Sequence, residues 1–296
     1  MASIEQTDTE VILKTADGIV SARVLLKGAT VLSWKVHGQE QLWLSESAIL
    51  DGDKGVRGGI PLVFPHFGPV TKSYVTSGET LPQHGFARNS QFEFLGQISD
   101  SPLSVQFGLG PENVPEKLQR LWPYNFTLIF TVTLDKSILQ TSISIENPKI
   151  GVPDAELKKW DFNWLFHTYF HVPNGIDSIS VTGLNNLDYY NKVLDSNAHE
   201  DSEEIIVTGE LDRVYKNTNP SCPVFINDSG SPIFEIIREN LDDIVVWNPW
   251  ENNMGDFSPK TGFNDMICVE AGTVSHSVTL NPGEKWEASQ TIKSNL

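Results

Sequence analysis

Hydrophobic positions in this chain recur at every second residue far more often than at helical spacing. In "NFTLIFTVTL" (125–134), Phe126, Leu128, Phe130, Val132 and Leu134 fall on one face, and threonines with Ile129 fall on the other. "ILQTSISIEN" (138–147) repeats the alternation through Leu139, Thr141, Ile143 and Ile145. Asp135 and Lys136 between the two runs make the short turn of a predicted hairpin. Similar runs lie at 19–26, 30–36, 91–97, 104–109, 161–171, 205–208, 233–238, 244–248, 266–270, 274–280 and 286–292, set apart by Gly, Pro, Asn and Asp. About a dozen such segments predict an all-β fold, a large antiparallel sandwich or barrel. Helix is expected only at 111–122, "PENVPEKLQRLW", for about two turns before Pro123 stops it. The irregular stretch 67–85 reads as a long loop, of the kind that carries function on a rigid scaffold. No internal repeat and no Pro/Ser-rich linker interrupts the pattern, so residues 1–296 are expected to form one domain.

Composition narrows the partners. Hydrophobic residues make up 39% of the 296, enough for a large core. The formal net charge of −17 sets the chain against nucleic acid and anionic membranes, which would repel it at long range. A small phosphorylated ligand stays possible, since it needs only two or three local cations. No stretch approaches the ~18 apolar residues of a membrane span. Only two cysteines occur, Cys222 and Cys268, too few for a disulfide framework, and the N-terminus carries no basic or apolar leader. The expected compartment is therefore cytoplasmic, and the sequons at Asn125 and Asn227 are taken as chance.

Phosphate-loop, dinucleotide, zinc-protease and nucleophile-elbow motifs are absent, so candidate chemistry rests on His, Glu, Asp and Arg in unusual settings. In "FNWLFHTYFHV" (162–172), read as a strand, Leu165, His167, Tyr169 and His171 face one way. His167 and His171 would then lie ~13 Å apart, too far to share a metal. His167 reads either as a hydrogen-bonded member of an aromatic wall or as a general acid or base. In "DMICVEAGT" (265–273), Glu270 interrupts a segment that looks buried on both faces, and the Ala271-Gly272 that follows places it at an expected strand end beside a cleft. Such a carboxylate is either ion-paired or working. "LPQHGFARN" (81–89) sets Gln83, His84 and Arg88 together, either as a solvated loop or as a grip on a sugar and an anion. "VRGGIPLVFPHFG" (56–68) puts Arg57 ahead of an apolar run fenced by glycines and prolines, a mount expected to bring backbone close to a ligand. Trp247 and Trp250 in "VVWNPWENN" offer aromatic faces on which a pyranose ring could stack.

Taken together, "RGGIPLVFPHFG", "LPQHGFARN", "NWLFHTYF" and "ICVEAG", in this order and spacing, resemble the aldose 1-epimerase superfamily, and within it the hexose-6-phosphate mutarotase branch. The similarity runs from about residue 10 to 292. The resemblance implies a galactose-mutarotase-like antiparallel β-supersandwich with few short helices, and no metal or organic cofactor. It also implies a monomer that interconverts the α and β anomers of a hexose 6-phosphate, glucose 6-phosphate first among them. By the same resemblance His167 is the general acid and Glu270 the general base, while Arg57, Gln83, His84, Arg88 and Asp212 bind substrate, the two arginines on the 6-phosphate. His66 is taken as variable loop lining.

These residue types suit the reaction. Mutarotation removes the proton on the anomeric O1 and delivers one to the ring O5, which opens the ring; rotation about C1–C2 and reclosure invert the anomer. Two alternatives share the fold: a non-catalytic sugar-phosphate-binding module, and a glycoside-processing enzyme using Glu270 and Asp212 as its two carboxylates.

Overall fold

The computed structural model describes residues 2–296 apart from 53, 71–72, 75–76, 150 and 152–156. The strands form three sheets, and all their pairings are antiparallel. The N-terminal sheet has five strands in chain order, from Ser3–Gln6 to Gln39–Glu40. A nine-stranded sheet contains the predicted hairpin, Thr127–Asp135 with Ile138–Glu146, whose burial alternates residue by residue as expected. An eight-stranded sheet carries the chemistry. Its order runs Ser196–His199, Asp188–Asn191, Leu211–Tyr215, Asp243–Asn248, Met266–Leu280, Trp160–Phe166 and Leu62–Val63, and Tyr169–His171 pairs with Met266–Leu280 off this path.

All three sheets face one apolar cluster, to which Val11 and Val24, Phe107 and Phe130, and Trp164 and Val269 each contribute. Phe64 is its aromatic hub, with ring centroids 5.5 to 6.4 Å from Phe86, Trp122, Phe126, Trp160, Phe162 and Trp164. Thus the run 56–68, which carries Arg57 at one end, is anchored in the core at Phe64. Its first two glycines serve close backbone packing. A Cβ on Gly58 (φ +127°) would lie 2.5 Å from the Trp43 carbonyl oxygen, and one on Gly59 (φ +66°) 2.2 Å from that of Val31. Gly58 and Gly59 thus press against neighbouring backbone, whereas Gly68 (φ +74°), at the far end of the run, has open space where a Cβ would stand.

Among the described residues, α-helix is confined, as expected, to the 111–122 region, split into a 3₁₀ turn at Pro111–Asn113 and the helix Glu116–Leu121, with single 3₁₀ turns elsewhere. No helix among the described residues is long and apolar enough to cross a membrane. Positions 71–72 and 75–76 of the expected loop 67–85 lie outside the described residues.

Two strand expectations are corrected. The segment 161–171 is not one strand: Thr168 N–H bonds back to the Phe166 carbonyl at 2.9 Å, and the chain re-enters the sheet only at Tyr169. Nor does Glu270 sit at a strand end, since Met266–Leu280 continues past it. The irregularity comes later, where register jumps from Trp164 opposite Thr273 to Phe162 opposite Val278. Asn163 alone faces that excursion, and its side-chain amide donates to the His276 carbonyl at 2.9 Å. The N–H groups that the jump frees are taken by buried Asp243, which accepts from Val274 at 2.7 Å and Ser275 at 2.6 Å.

Candidate active site

The break after Phe166 turns His167 towards the strand that carries Glu270. His167 N–H is held by the Pro61 carbonyl at 3.0 Å and Tyr169 N–H by Gly59 at 2.9 Å, so the opening glycine-proline run fixes both rings. The His167 imidazole stacks on Tyr169, with centroids 4.8 Å apart and planes 10° from parallel, and Trp247 meets both edge-on at 5.8 and 5.9 Å. His167 Nδ1 then lies 3.2 Å from Glu270 Oε1. The contact is not aligned as a hydrogen bond: Nδ1 of His167 and Oε2 of Glu270 are both buried without a hydrogen-bond partner among the described residues.

Burial decides the electrostatics of this pair. Glu270 is 2% exposed, and burial followed by the nearby Asp212 carboxylate pushes it well above the usual carboxylate range, against the pull of Lys192. Burial also holds His167 well below the ordinary imidazole value, reinforced by Arg88, Arg57 and Lys192. Both directions favour the neutral pair, imidazole with carboxylic acid, which holds one proton in total. Donor atoms of His167, Cys268 and Glu270 all lie within 4.8 Å of one another, a set that a divalent ion could also use.

The residues expected to bind an anion converge from two loops. A cavity of about 640 Å³ is lined by Lys27, Lys54, Arg57, Gln83, Arg88 and Asp256, among others. Arg57 donates through Nε to Asp256 Oδ2 at 2.9 Å, its Nη2 is ion-paired with the same oxygen at 2.9 Å, and its guanidinium lies 5.2 Å from the Phe257 ring. Burial works against the Arg57 charge, but Tyr169 and Asp256 outweigh it and leave its pKa raised. Arg88 donates to the Gln83 carbonyl at 2.8 Å, and its Nε is buried without a partner among the described residues. Burial lowers the Arg88 pKa to about 10, so the side chain stays cationic at neutral pH.

His84 bridges the cavity to the pair. It sits at φ +66° in a turn that Gly85 (φ +72°) completes, where a Cβ on Gly85 would lie 2.2 Å from the Phe64 carbonyl oxygen. Gly68 N–H donates to His84 Nδ1 at 3.2 Å, so the neutral ring carries its proton on Nε2, 3.2 Å from the Gln83 amide. That geometry assigns the amide oxygen to the His84 side. The His84 ring meets His167 edge-on at 5.9 Å, and burial drives its pKa strongly down, which keeps it neutral.

Asp212 enters from Leu211–Tyr215, where it faces Trp247, itself opposite Cys268. Its Oδ2 accepts from Lys192 Nζ at 2.7 Å, and its Oδ1 is buried without a partner among the described residues. All seven expected site residues thus gather in one region: Arg57, Gln83 and Arg88 on the cavity wall, His84 between, and His167, Glu270 and Asp212 inside. His171 does not join them; it pairs with Met266 and lines a separate groove with Arg23 and Trp43. Trp250 packs on Phe263 at 5.2 Å, whereas Trp247 belongs to the site wall. His66 meets the Pro69 carbonyl within its own loop, at 3.3 Å.

Residues 10–293 match the sequence model of the aldose 1-epimerase family. The chain belongs to that family. Among its relatives, a Cenchrus ciliaris protein named as a candidate glucose-6-phosphate 1-epimerase is 33% identical over 276 residues, 90% of this chain and 78% of its own length. An Escherichia coli K12 protein of the same name is 29% identical over 285 residues, 93% of this chain and 87% of its own length. The crystal structure of a candidate mutarotase from Salmonella typhimurium superposes with a TM-score of 0.81 at 24% identity, covering 99% of this chain and 92% of that one. The expected mutarotase-like all-β supersandwich is therefore the fold of this aldose 1-epimerase family member.

Two contributors escaped sequence reading. Lys192, in "YYNKVLD", and Asp256, in "NMGDFSP", are ordinary surface residues by pattern, and only strand pairing and loop return bring them to Asp212 and Arg57.

Proposed function

We propose that this protein interconverts the α and β anomers of hexose 6-phosphates, glucose 6-phosphate first among them, by acid/base ring opening and reclosure. The observation that carries this reading is the 3.2 Å approach of His167 to Glu270, linked through His84 and Gln83 to a cavity walled by Arg57 and Arg88.

Ring opening needs one group to take the proton from O1 and another to give one to O5 as the C1–O5 bond breaks. A pair holding one proton in total meets both needs. With imidazolium at His167 and carboxylate at Glu270, the glutamate takes the O1 proton and the histidine supplies O5; reclosure on the other face of the aldehyde reverses the roles. The other placement, neutral imidazole with carboxylic acid, is the one that burial favours, so a proton shift from Glu270 to His167 precedes ring opening. Arg57 and Arg88 take the 6-phosphate, whose binding energy holds the sugar while C1 turns. At ~0.15 M salt the Debye length of ~8 Å screens distant acids, so the local cations outweigh the overall charge.

The glycoside-processing alternative is weaker, because Asp212 is tied to Lys192 and His167 has no part in it. We further take the chain to act as a single-domain cytoplasmic monomer without nucleic-acid partners. The shared core supports the single domain, the two unpaired cysteines the compartment, and the net charge of −17 the lack of nucleic-acid partners; the monomer rests on the family resemblance. The test of the function is anomer exchange by NMR or polarimetry: catalysis of glucose 6-phosphate equilibration supports it, and absence of turnover favours a binding module.

A further inference from the structure

We propose that Lys192 is a positioning residue of the site: it clamps Asp212 so that one carboxylate oxygen stays free for a sugar hydroxyl, and its charge offsets the two buried carboxylates around the reacting carbon. The inference rests on the acid/base reading above.

Lys192 follows the strand Asp188–Asn191, at the turn towards Ser196–His199. Its backbone N–H donates to the Asp212 carbonyl at 2.8 Å, which registers the turn against the strand Leu211–Tyr215. From that anchor the ammonium reaches Asp212 Oδ2 at 2.7 Å and passes over the Phe67 ring at 5.3 Å. With Oδ2 taken, Oδ1 is left buried and without a partner among the described residues. A buried acceptor in that state calls for a donor, and a sugar hydroxyl is the donor that the reading brings there.

Charge balance argues the same way. Glu270 and Asp212 are two carboxylates withdrawn from water in one pocket, so each disfavours ionisation of the other. The groups around Glu270 come from every packed element: Cys268 from its own strand, Asp212 from Leu211–Tyr215, His167 and Tyr169 beyond the strand break, and Lys192 from the turn. Arg88, Arg57 and Lys192 bear on His167, and the charges bearing on Glu270 are Asp212 and Lys192, so Lys192 is the cation common to both. Without the ammonium, Glu270 would hold its proton to higher pH, and base function would fall with it.

The experiment is the pH profile of kcat/KM for glucose 6-phosphate, and for glucose, with the full chain and its Lys192→Met and Lys192→Arg variants. Loss of the ammonium is expected to move the acid limb to higher pH by about one unit, a rate loss of about tenfold below it that recovers as pH rises. Lys192→Arg is expected to return the limb towards the parent position. Should Lys192→Met fold poorly, Asp212→Asn gives the opposite displacement, to lower pH, because it removes the like charge. An active parent whose variants leave the limb unmoved overturns the inference alone. So does a Lys192→Met that raises KM only for the phosphorylated sugar, which would make Lys192 a phosphate ligand. A parent inactive on both sugars overturns the acid/base reading and this inference with it.

Discussion

His167 Nδ1 and Glu270 Oε1 stand 3.2 Å apart without forming an aligned hydrogen bond, and the outer carboxylate oxygen, Oε2, is equally unpartnered among the described residues. Polar atoms buried in that state are costly unless a ligand completes them, by about 1–3 kcal/mol each. His167→Asn and Glu270→Gln keep the shapes and remove the proton exchange. Each is expected to lower kcat by ~10²–10⁴-fold with the thermal transition little changed. A variant that keeps a near-parental kcat would remove its residue from the reaction. The parent rate should be bell-shaped in pH, falling where the pair holds two protons and again where it holds none.

Gly55 stands against the second arginine: a Cβ there would lie 2.9 Å from Cδ, Nε and Cζ of Arg88. Gly55→Ala must therefore displace the guanidinium from the cavity wall. The expected result is a KM for glucose 6-phosphate raised by about tenfold, with the rate on free glucose unchanged. Steady-state kinetics on both sugars check this, and a loss shared equally by both would place Arg88 away from the phosphate.

Arg57 commits its Nε–Nη2 edge to Asp256. A 6-phosphate bound through the same edge must displace that carboxylate, so Asp256 competes with substrate. Arg57→Ala is expected to raise KM for glucose 6-phosphate by about ten- to a hundredfold, the worth of hydrogen bonds to a charged group. Asp256→Asn is expected to lower it a few-fold. A raised KM in Asp256→Asn would show instead that the carboxylate orients the guanidinium.

Stability of the reactive strand depends on Asp243, whose carboxylate gathers the N–H groups of Val274, Ser275 and Asn217. In Asp243→Asn an amide N–H₂ would face donors. The expected cost is about 1–3 kcal/mol in urea unfolding, and an unchanged midpoint would mean that the excursion is held by other bonds.

How much of this was legible depended on how local the cause was. The hairpin 125–146 shows in the sequence because each of its residues alternates between core and solvent. Met266–Leu280 reads as two strands, 266–270 and 274–280, because Ala271 and Gly272 interrupt the β-forming pattern between them, although the ladder runs through both. Leu62–Val63 is masked by the glycines and prolines around it, and Asp188–Asn191 with Ser196–His199 by their polar, edge-strand composition. Side chains of the site proclaim themselves when they break a pattern, as Glu270 does among buried neighbours. Lys192 breaks none, because its partner lies twenty residues away and only the pairing of two strands joins them.

The central claim is tested most directly by following anomer equilibration of glucose 6-phosphate and of glucose, by NMR exchange or polarimetry, with and without the protein. Strong acceleration for glucose 6-phosphate and much less for glucose is the expected result. Equal acceleration of both sugars would contradict the phosphate clamp of Arg57 and Arg88, and no acceleration of either would contradict catalysis by His167 and Glu270.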